Sequence, residues 1–342
     1  MGICISVASS EIHGIPQVHD ENVMIFEANK VQHETKRLCS VSSKQGTKGL
    51  NQDAASLYQD YGIEDGAFCG VYDGHGRNGH IVSKIVNNTL PSLILSQKNA
   101  IENDTTKNGV NNKQNKFSNN FLILKEAILG AFNVMDDEVK QENLDCSCSG
   151  TTAVVVIRQG NGLVIANLGD SRAILGTIDD AKLKAIQLTT DLKPGLPSEA
   201  KRIRRCNGCV YALKEEPHVQ RVWLPNENYP GLAMSRAFGD FILKDHGVIA
   251  IPDIWYHPLT SNDQFIVLAS DGVWDVLSNE EVVSIVWMVE SEEEAARAVV
   301  EAATAAWAKK YPSSRVDDCT VVCLFLQKKP QNLGCTESGK LG

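Results

Sequence analysis

Aspartates recur at the ends of short apolar runs in this sequence. Asp73 closes the run 67–72, Asp170 follows 163–169, and Asp271 follows 265–270. Asp53 opens the run 54–58, and Asp317 and Asp318 open 319–324. If each run is a strand, one rim of a sheet receives several carboxylates. Crowded carboxylates repel one another and lose hydration, both of which oppose ionisation. A bound dication removes the conflict. An all-oxygen ligand set selects Mg²⁺ or Mn²⁺ over zinc. Two such ions can lower the pKa of a shared water and hold a phosphoryl group for in-line attack. A single Asp-Gly pair is an ordinary turn; a set of strand-end aspartates is harder to account for that way. Asp73-Gly74-His75-Gly76 is the most specific stretch. Gly74 has no side chain to keep its carbonyl from a cation, and His75 is a candidate acid for a departing alkoxide.

These side chains need elements to position them. Apolar runs bounded by turn residues predict strands over 38–43, 54–58, 67–72, 152–157, 163–167, 173–175, 265–269 and 320–326. Helical spacing covers 80–95 and 121–142. Ser278 with Glu281, and Ser291 with Glu294, form capping-box patterns that start two C-terminal helices, the second running to about Lys310. Residues 97–120 are rich in asparagine and lysine and read as a polar surface loop. Strands in runs, with helices grouped between them, favour two packed sheets covered by helices over a βαβ alternation.

The chain has 342 residues, 43% of them apolar and 22% charged, which is ordinary globular composition. A net charge of -9 disfavours nucleic acid as a partner and suits a protein that concentrates carboxylates. No leader-like segment and no apolar stretch near 18 residues stand out, so the expectation is a chain that is not secreted, with its ten cysteines reduced. Cys206 and Cys209 have CxxC spacing but no second pair, and read as a loop or helix end. Lys201, Arg202, Arg204 and Arg205 read as a basic helix face, solvated or else docking a peptide or lipid, and Arg236 as a structural partner for a core carboxylate.

At this point the motifs resemble the metal-dependent type 2C serine/threonine protein phosphatases, plant branch. The resemblance rests on residues 44–53, 71–76, 149–153, 166–172, 231–240, 268–275 and 316–320, in family order. It implies an α+β fold: a central β-sandwich of two antiparallel sheets flanked by α-helices, in α-β-β-α layers. It implies one catalytic domain over 37–328, between a flexible segment 1–36 and a polar tail 329–342, acting as a monomer on phosphoprotein substrates. By resemblance, Asp73 bridges two Mg²⁺ or Mn²⁺ ions, Gly74 ligates through its carbonyl, and Asp271 and Asp317 complete the shell. Asp53 acts near the first metal through water, while Asp170 and Asp275 match a weaker third site. His75 matches the general acid. The reaction implied is direct attack by a metal-bridging water or hydroxide on phosphoserine or phosphothreonine. Two positions depart from the common pattern. Lys48 stands where arginine often binds substrate phosphate, and lysine offers a point charge rather than a bidentate fork. Gln52 replaces a frequent glutamate, although the plant branch commonly shows this form. These departures support the alternative of a membrane-tethered pseudophosphatase that acts as a binding module. A two-metal nuclease is disfavoured by charge and by the lack of a basic, aromatic groove pattern.

Met1-Gly2-Ile3-Cys4-Ile5-Ser6 matches the pattern for myristoylation at Gly2. One myristoyl chain binds membrane only marginally, so a second signal is required, and Cys4 is the candidate for palmitoylation. The expectation is the cytosolic face of a membrane, beside a soluble cytoplasmic or nuclear pool.

Overall fold

The computed structural model describes residues 15–20, 22–27, 39–107, 116–313 and 315–327. The strands are β1 (Ile15–Asp20), β2 (Val23–Glu27), β3 (Cys39–Lys44), β4 (Asp53–Gln59), β5 (Ala67–His75), β6 (Gly150–Thr151), β7 (Ala153–Gln159), β8 (Gly162–Leu168), β9 (Arg172–Asp179) and β10 (Lys182–Gln187). They continue as β11 (Cys209–Ala212), β12 (Gln220–Trp223), β13 (Pro230–Leu232), β14 (Phe238–Gly239), β15 (Asp253–Pro258), β16 (Asp263–Ala269) and β17 (Cys319–Phe325). The helices are α1 (Gly79–Lys107), α2 (Lys116–Gln141), α3 (Pro197–Arg205), α4 (Phe241–Lys244), α5 (Asp271–Trp274), α6 (Asn279–Met288) and α7 (Ala295–Lys310).

The strands make two large sheets and one small one. The first is ordered β1-β2-β4-β5-β7-β8-β15, with β6 bridging β5 and β14. The second is ordered β10-β9-β16-β17-β3, and β11-β12-β13 form the third. Pairing is antiparallel except for β2 against β4.

Central strands are apolar on both faces because both faces are covered. In β5, Phe68 and Tyr72 join the layer under α1 and α2, while Cys69 and Val71 enter the core between the sheets. In β16, Ile266 and Leu268 face the other sheet, while Phe265, Val267 and Ala269 meet the α6–α7 layer. The layers are therefore helix, sheet, sheet, helix, as expected. A fourth cluster around Ile203, Val222, Leu232, Met234 and Leu243 supports the small sheet outside the sandwich.

Several expectations are corrected. Within 1–36, β1 and β2 extend the first sheet and Val23 is buried, so that segment is not wholly a tether. Residues 97–107 and 116–120 continue helices rather than form one loop. The β5 strand runs past Tyr72 through Asp73, Gly74 and His75. Ser278 and Glu281 do form the capping box. Ser291 instead accepts from the Glu293 backbone and starts a 3-10 turn over Glu292–Glu294, ahead of α7. Gly2, Cys4 and the tail 329–342 lie outside the described residues.

Candidate active site

The loop-facing rim of the sandwich gathers the aspartates. Asp53 begins β4 and is the cross-strand partner of Asp73 on β5. Thr152 fixes the end of β5 on both sides: its hydroxyl accepts from the Asp73 N–H at 3.0 Å, and its own N–H donates to the Asp73 carbonyl at 2.9 Å. Asp271 is the first residue of α5, one residue beyond the end of β16, and Asp275 caps that helix. Ser270, between β16 and α5, donates to Asp53 Oδ2 at 2.6 Å. The two sheets are thus joined across 217 residues of sequence.

Asp317 and Asp318 precede β17 and do different things. Asp318 is spent on structure: it accepts from the Gly46 N–H at 2.7 Å and the Gln52 N–H at 2.8 Å. Asp317 is the more open of the two and pairs with Lys48. That division gives a physical reason for preferring Asp317 as the reactive carboxylate.

Burial, then the charges of Asp271, Asp53, Asp317 and Asp170, push the Asp73 carboxyl well above the usual carboxylate range. Asp271 is likewise pushed up by burial, then by Asp170, Asp317 and Asp275. Asp53, almost fully buried, is pushed up to about 7 by burial, against the hydrogen bond from Ser270. Asp170 is raised by burial despite Lys193, whose ammonium lies 3.5 Å from Asp170 Oδ2. Asp275 is raised by burial as well. Like charges held this way need a positive counterpart.

Among the described residues, no three His, Cys, Asp or Glu side chains are drawn together as a ready-made metal cage. The donor chemistry nevertheless fits hard cations. The donors are all oxygen, and Asp170 Oδ1 is buried with no hydrogen-bond partner. The Gly74 carbonyl belongs to a backbone held in close packing. A Cβ at Gly74 would lie 2.5 Å from the carbonyl oxygens of Gln52 and Gly79. Packing, rather than access to a cation alone, requires glycine there.

His75 ends β5 with its Nε2 2.6 Å from Asp240 Oδ2. Burial lowers the affinity of His75 for a proton, but the Asp240 charge and hydrogen bond outweigh it and raise the pKa. Asp240 is 1% exposed, in a left-handed conformation, and anchored by its N–H to the Ser149 carbonyl at 3.0 Å. Gly150 leaves room for the pair: a Cβ there would come within 2.4 Å of Asp240 Oδ2 and 2.9 Å of His75 Nε2. Asp240 lies in the motif 231–240, but nothing in the sequence gives it a task, and Lys193, a lone lysine before a proline, carries no local signal.

Arg236 supports the segment that bears Asp240. Its Nε and Nη2 donate to Glu199 Oε2 and Oε1, both at 2.9 Å, and its Nη1 reaches Asp253 Oδ1 at 2.8 Å. Arg202 also pairs with Glu199, at 2.8 Å, so it leaves the solvated face on which Lys201, Arg204 and Arg205 remain exposed. Cys206 caps α3 and Cys209 begins β11, both as free thiols.

Sequence and fold comparisons place the chain among known proteins. The model of the family described as Protein phosphatase 2C matches residues 37–310. The chain belongs to that family. It is 54% identical to Probable protein phosphatase 2C 72 of Arabidopsis thaliana over 97% of this chain and 99% of the relative. It is 52% identical to Probable protein phosphatase 2C 14 of Oryza sativa subsp. japonica, over 84% of this chain and 60% of that protein. A solved serine-threonine phosphatase 2C from Toxoplasma gondii superposes with a TM-score of 0.75 at 25% identity, covering 84% of this chain and 94% of its own. This phosphatase 2C is therefore a plant-type serine/threonine protein phosphatase, and its substrates are phosphoproteins. The family is generally metal-dependent.

Proposed function

We propose that this phosphatase hydrolyses phosphoserine and phosphothreonine by direct, metal-dependent attack of water, without a phosphoenzyme. The supporting observation is the set of mutually repelling, largely buried carboxylates around Asp73 at the rim of the sandwich. Asp73, Asp271, Asp317 and the Gly74 carbonyl would hold two Mg²⁺ or Mn²⁺ ions, with Asp53 beside the first. Asp170 and Asp275 would hold a weaker third. Bound there, the cations supply a lowered water pKa and neutralise phosphoryl charge. The chain supplies the rest. Lys48 presents a positive charge at the open edge, next to Asp317. His75, whose proton affinity Asp240 raises against burial, donates its proton to the departing serine or threonine oxygen. Glu199 and Arg236 hold the segment that carries Asp240.

The test is phosphothreonine-peptide hydrolysis with and without Mn²⁺, run beside Asp73→Asn. Activity should need the ion and collapse in the variant. Activity that persists in Asp73→Asn, or that ignores chelation, overturns the mechanism. Calorimetric titration with Mn²⁺ separates the enzyme from a pseudophosphatase, which would bind no ion at useful concentrations. No helix among the described residues is long and apolar enough to cross a membrane. We assign membrane association to acylation at Gly2, strengthened at Cys4. A Gly2→Ala chain should then leave the membrane fraction.

A further inference from the structure

A second cleft lies at the end of the first sheet remote from the carboxylates. It has a volume of about 350 Å³ and is walled by Ile63, Phe121, Leu124, Val164 and Tyr256, with Lys98 at its side. These residues come from the β4–β5 turn, the first turns of α2, the β8 and β15 strands, and the later half of α1. Lys98 is held by Glu102 at 3.1 Å, which leaves its alkyl stem to line the wall. Phe121 and Tyr256 pack ring against ring at 5.4 Å between centroids. Gln159 also lines the cleft, and its amide nitrogen is buried without a hydrogen-bond partner. The cleft therefore has an apolar wall rimmed by Lys98, Glu102 and Asn120 and a buried, unused donor in Gln159, the pattern of a ligand site.

Strand register shows what can reach it. Ile15 pairs with Glu27, Phe26 with Tyr58, Gln59 with Ala67, Ala67 with Arg158, and Arg158 with Leu163. These residues form one row across the sheet, at the end that holds the cleft. The start of β1 thus leaves the sheet on the side of the cleft. Five strand spacings separate β1 from β8, about 24 Å. Residues 2–14 lie outside the described part of the chain, and thirteen extended residues reach up to about 43 Å.

We propose that this cleft receives the myristoyl chain of Gly2, with the Gln159 side-chain amide donating to the acyl amide carbonyl. The inference rests on the acylation of Gly2 proposed above. Docking holds the acyl chain away from the bilayer, so the protein remains in solution until S-acylation at Cys4 or a change at the cleft commits it to the membrane. The strand ends that carry Asp73 and His75 lie about 20 Å away along β5, so an occupied cleft leaves the phosphatase site open.

The experiment uses the full chain made with an N-myristoyltransferase, its acyl group checked by mass spectrometry, and sedimentation with phosphatidylcholine vesicles. A free myristoyl chain binds such vesicles with a constant of about 10⁴ M⁻¹. The acylated wild-type chain should bind at least tenfold more weakly. Val164→Phe, which fills the cleft, should restore the full value, and so should Ile63→Glu at a turn position that tolerates change. Mn²⁺-dependent phosphatase activity should be unchanged in both. Binding at the free-chain value in the wild type, or binding that neither substitution alters, overturns the proposal; the latter is also the result if another segment or ligand fills the cleft. A chain that takes no acyl group overturns both the lipid assignment and its docking, while leaving the metal-dependent mechanism as it stands.

Discussion

Replacing Glu199 with glutamine tests the support beneath the His75–Asp240 pair to which we assign the acid role. Glu199 is 2% exposed, accepts two hydrogen bonds from Arg236 and one from Ser235, and is ion-paired with Arg202. Burial alone would raise its pKa, but the bonds from Arg236, Arg202 and Ser235 outweigh burial and hold the carboxyl at about 2, against an ordinary 4.5. That difference corresponds to roughly 3 kcal/mol of folding stability at neutral pH. Because the folded value is depressed, the contribution is complete above about pH 4.5 and is lost as pH falls towards 2. Glutamine keeps the volume and removes the charge, leaving Arg236 and Arg202 without their buried anion. Urea unfolding at pH 7 should show Glu199→Gln less stable by on the order of 3 kcal/mol. Repeating it at pH 5 and pH 3.5 should leave the gap nearly unchanged at the first and narrowed at the second. No loss at pH 7, or a gap that widens as pH falls, would refute the reasoning.

Other perturbations act closer to the chemistry. Asp240→Asn removes the charge that raises the His75 pKa, so the loss of activity on the alkaline side should begin at lower pH; an unmoved pH profile would show that His75 is not the acid. Lys193→Met removes a cation 3.5 Å from Asp170. A unit charge at about 4 Å is worth roughly 1 to 4 kcal/mol, so calorimetry should find Mn²⁺ bound about tenfold more tightly at the weakest site. Unchanged binding would place Lys193 outside the competition.

How much was legible depended on where the information lay. Continuous apolar runs announced β4, β5, β7, β8, β16 and β17 because both faces of those strands are buried. By contrast, β10 alternates exposed and half-buried residues, and the small sheet of β11, β12 and β13 is short. Neither rises above the background of turn-like sequence. Residues 97–107 lack an apolar stripe yet remain helical, as the continuation of a helix already nucleated by packing. At the site, strand-end position revealed Asp53, Asp73, Asp170 and Asp271. The different duties of Asp317 and Asp318 could not be read from adjacent identical residues. They follow from two backbone N–H groups, of Gly46 and Gln52, brought to Asp318 from the far end of the chain. Asp240 was hidden for the same reason: its partner His75 is 165 residues away.

The position of β17, inserted between β16 and β3, has a consequence for synthesis. The second sheet cannot close around its middle until residues 319–325 have left the ribosome. Asp318 must find Gly46 across 272 residues before the loop bearing Lys48 has an anchor. A nascent chain therefore carries Asp53, Asp73, Asp170 and Asp271 on an unfinished rim until residues 317–325 have emerged to complete it.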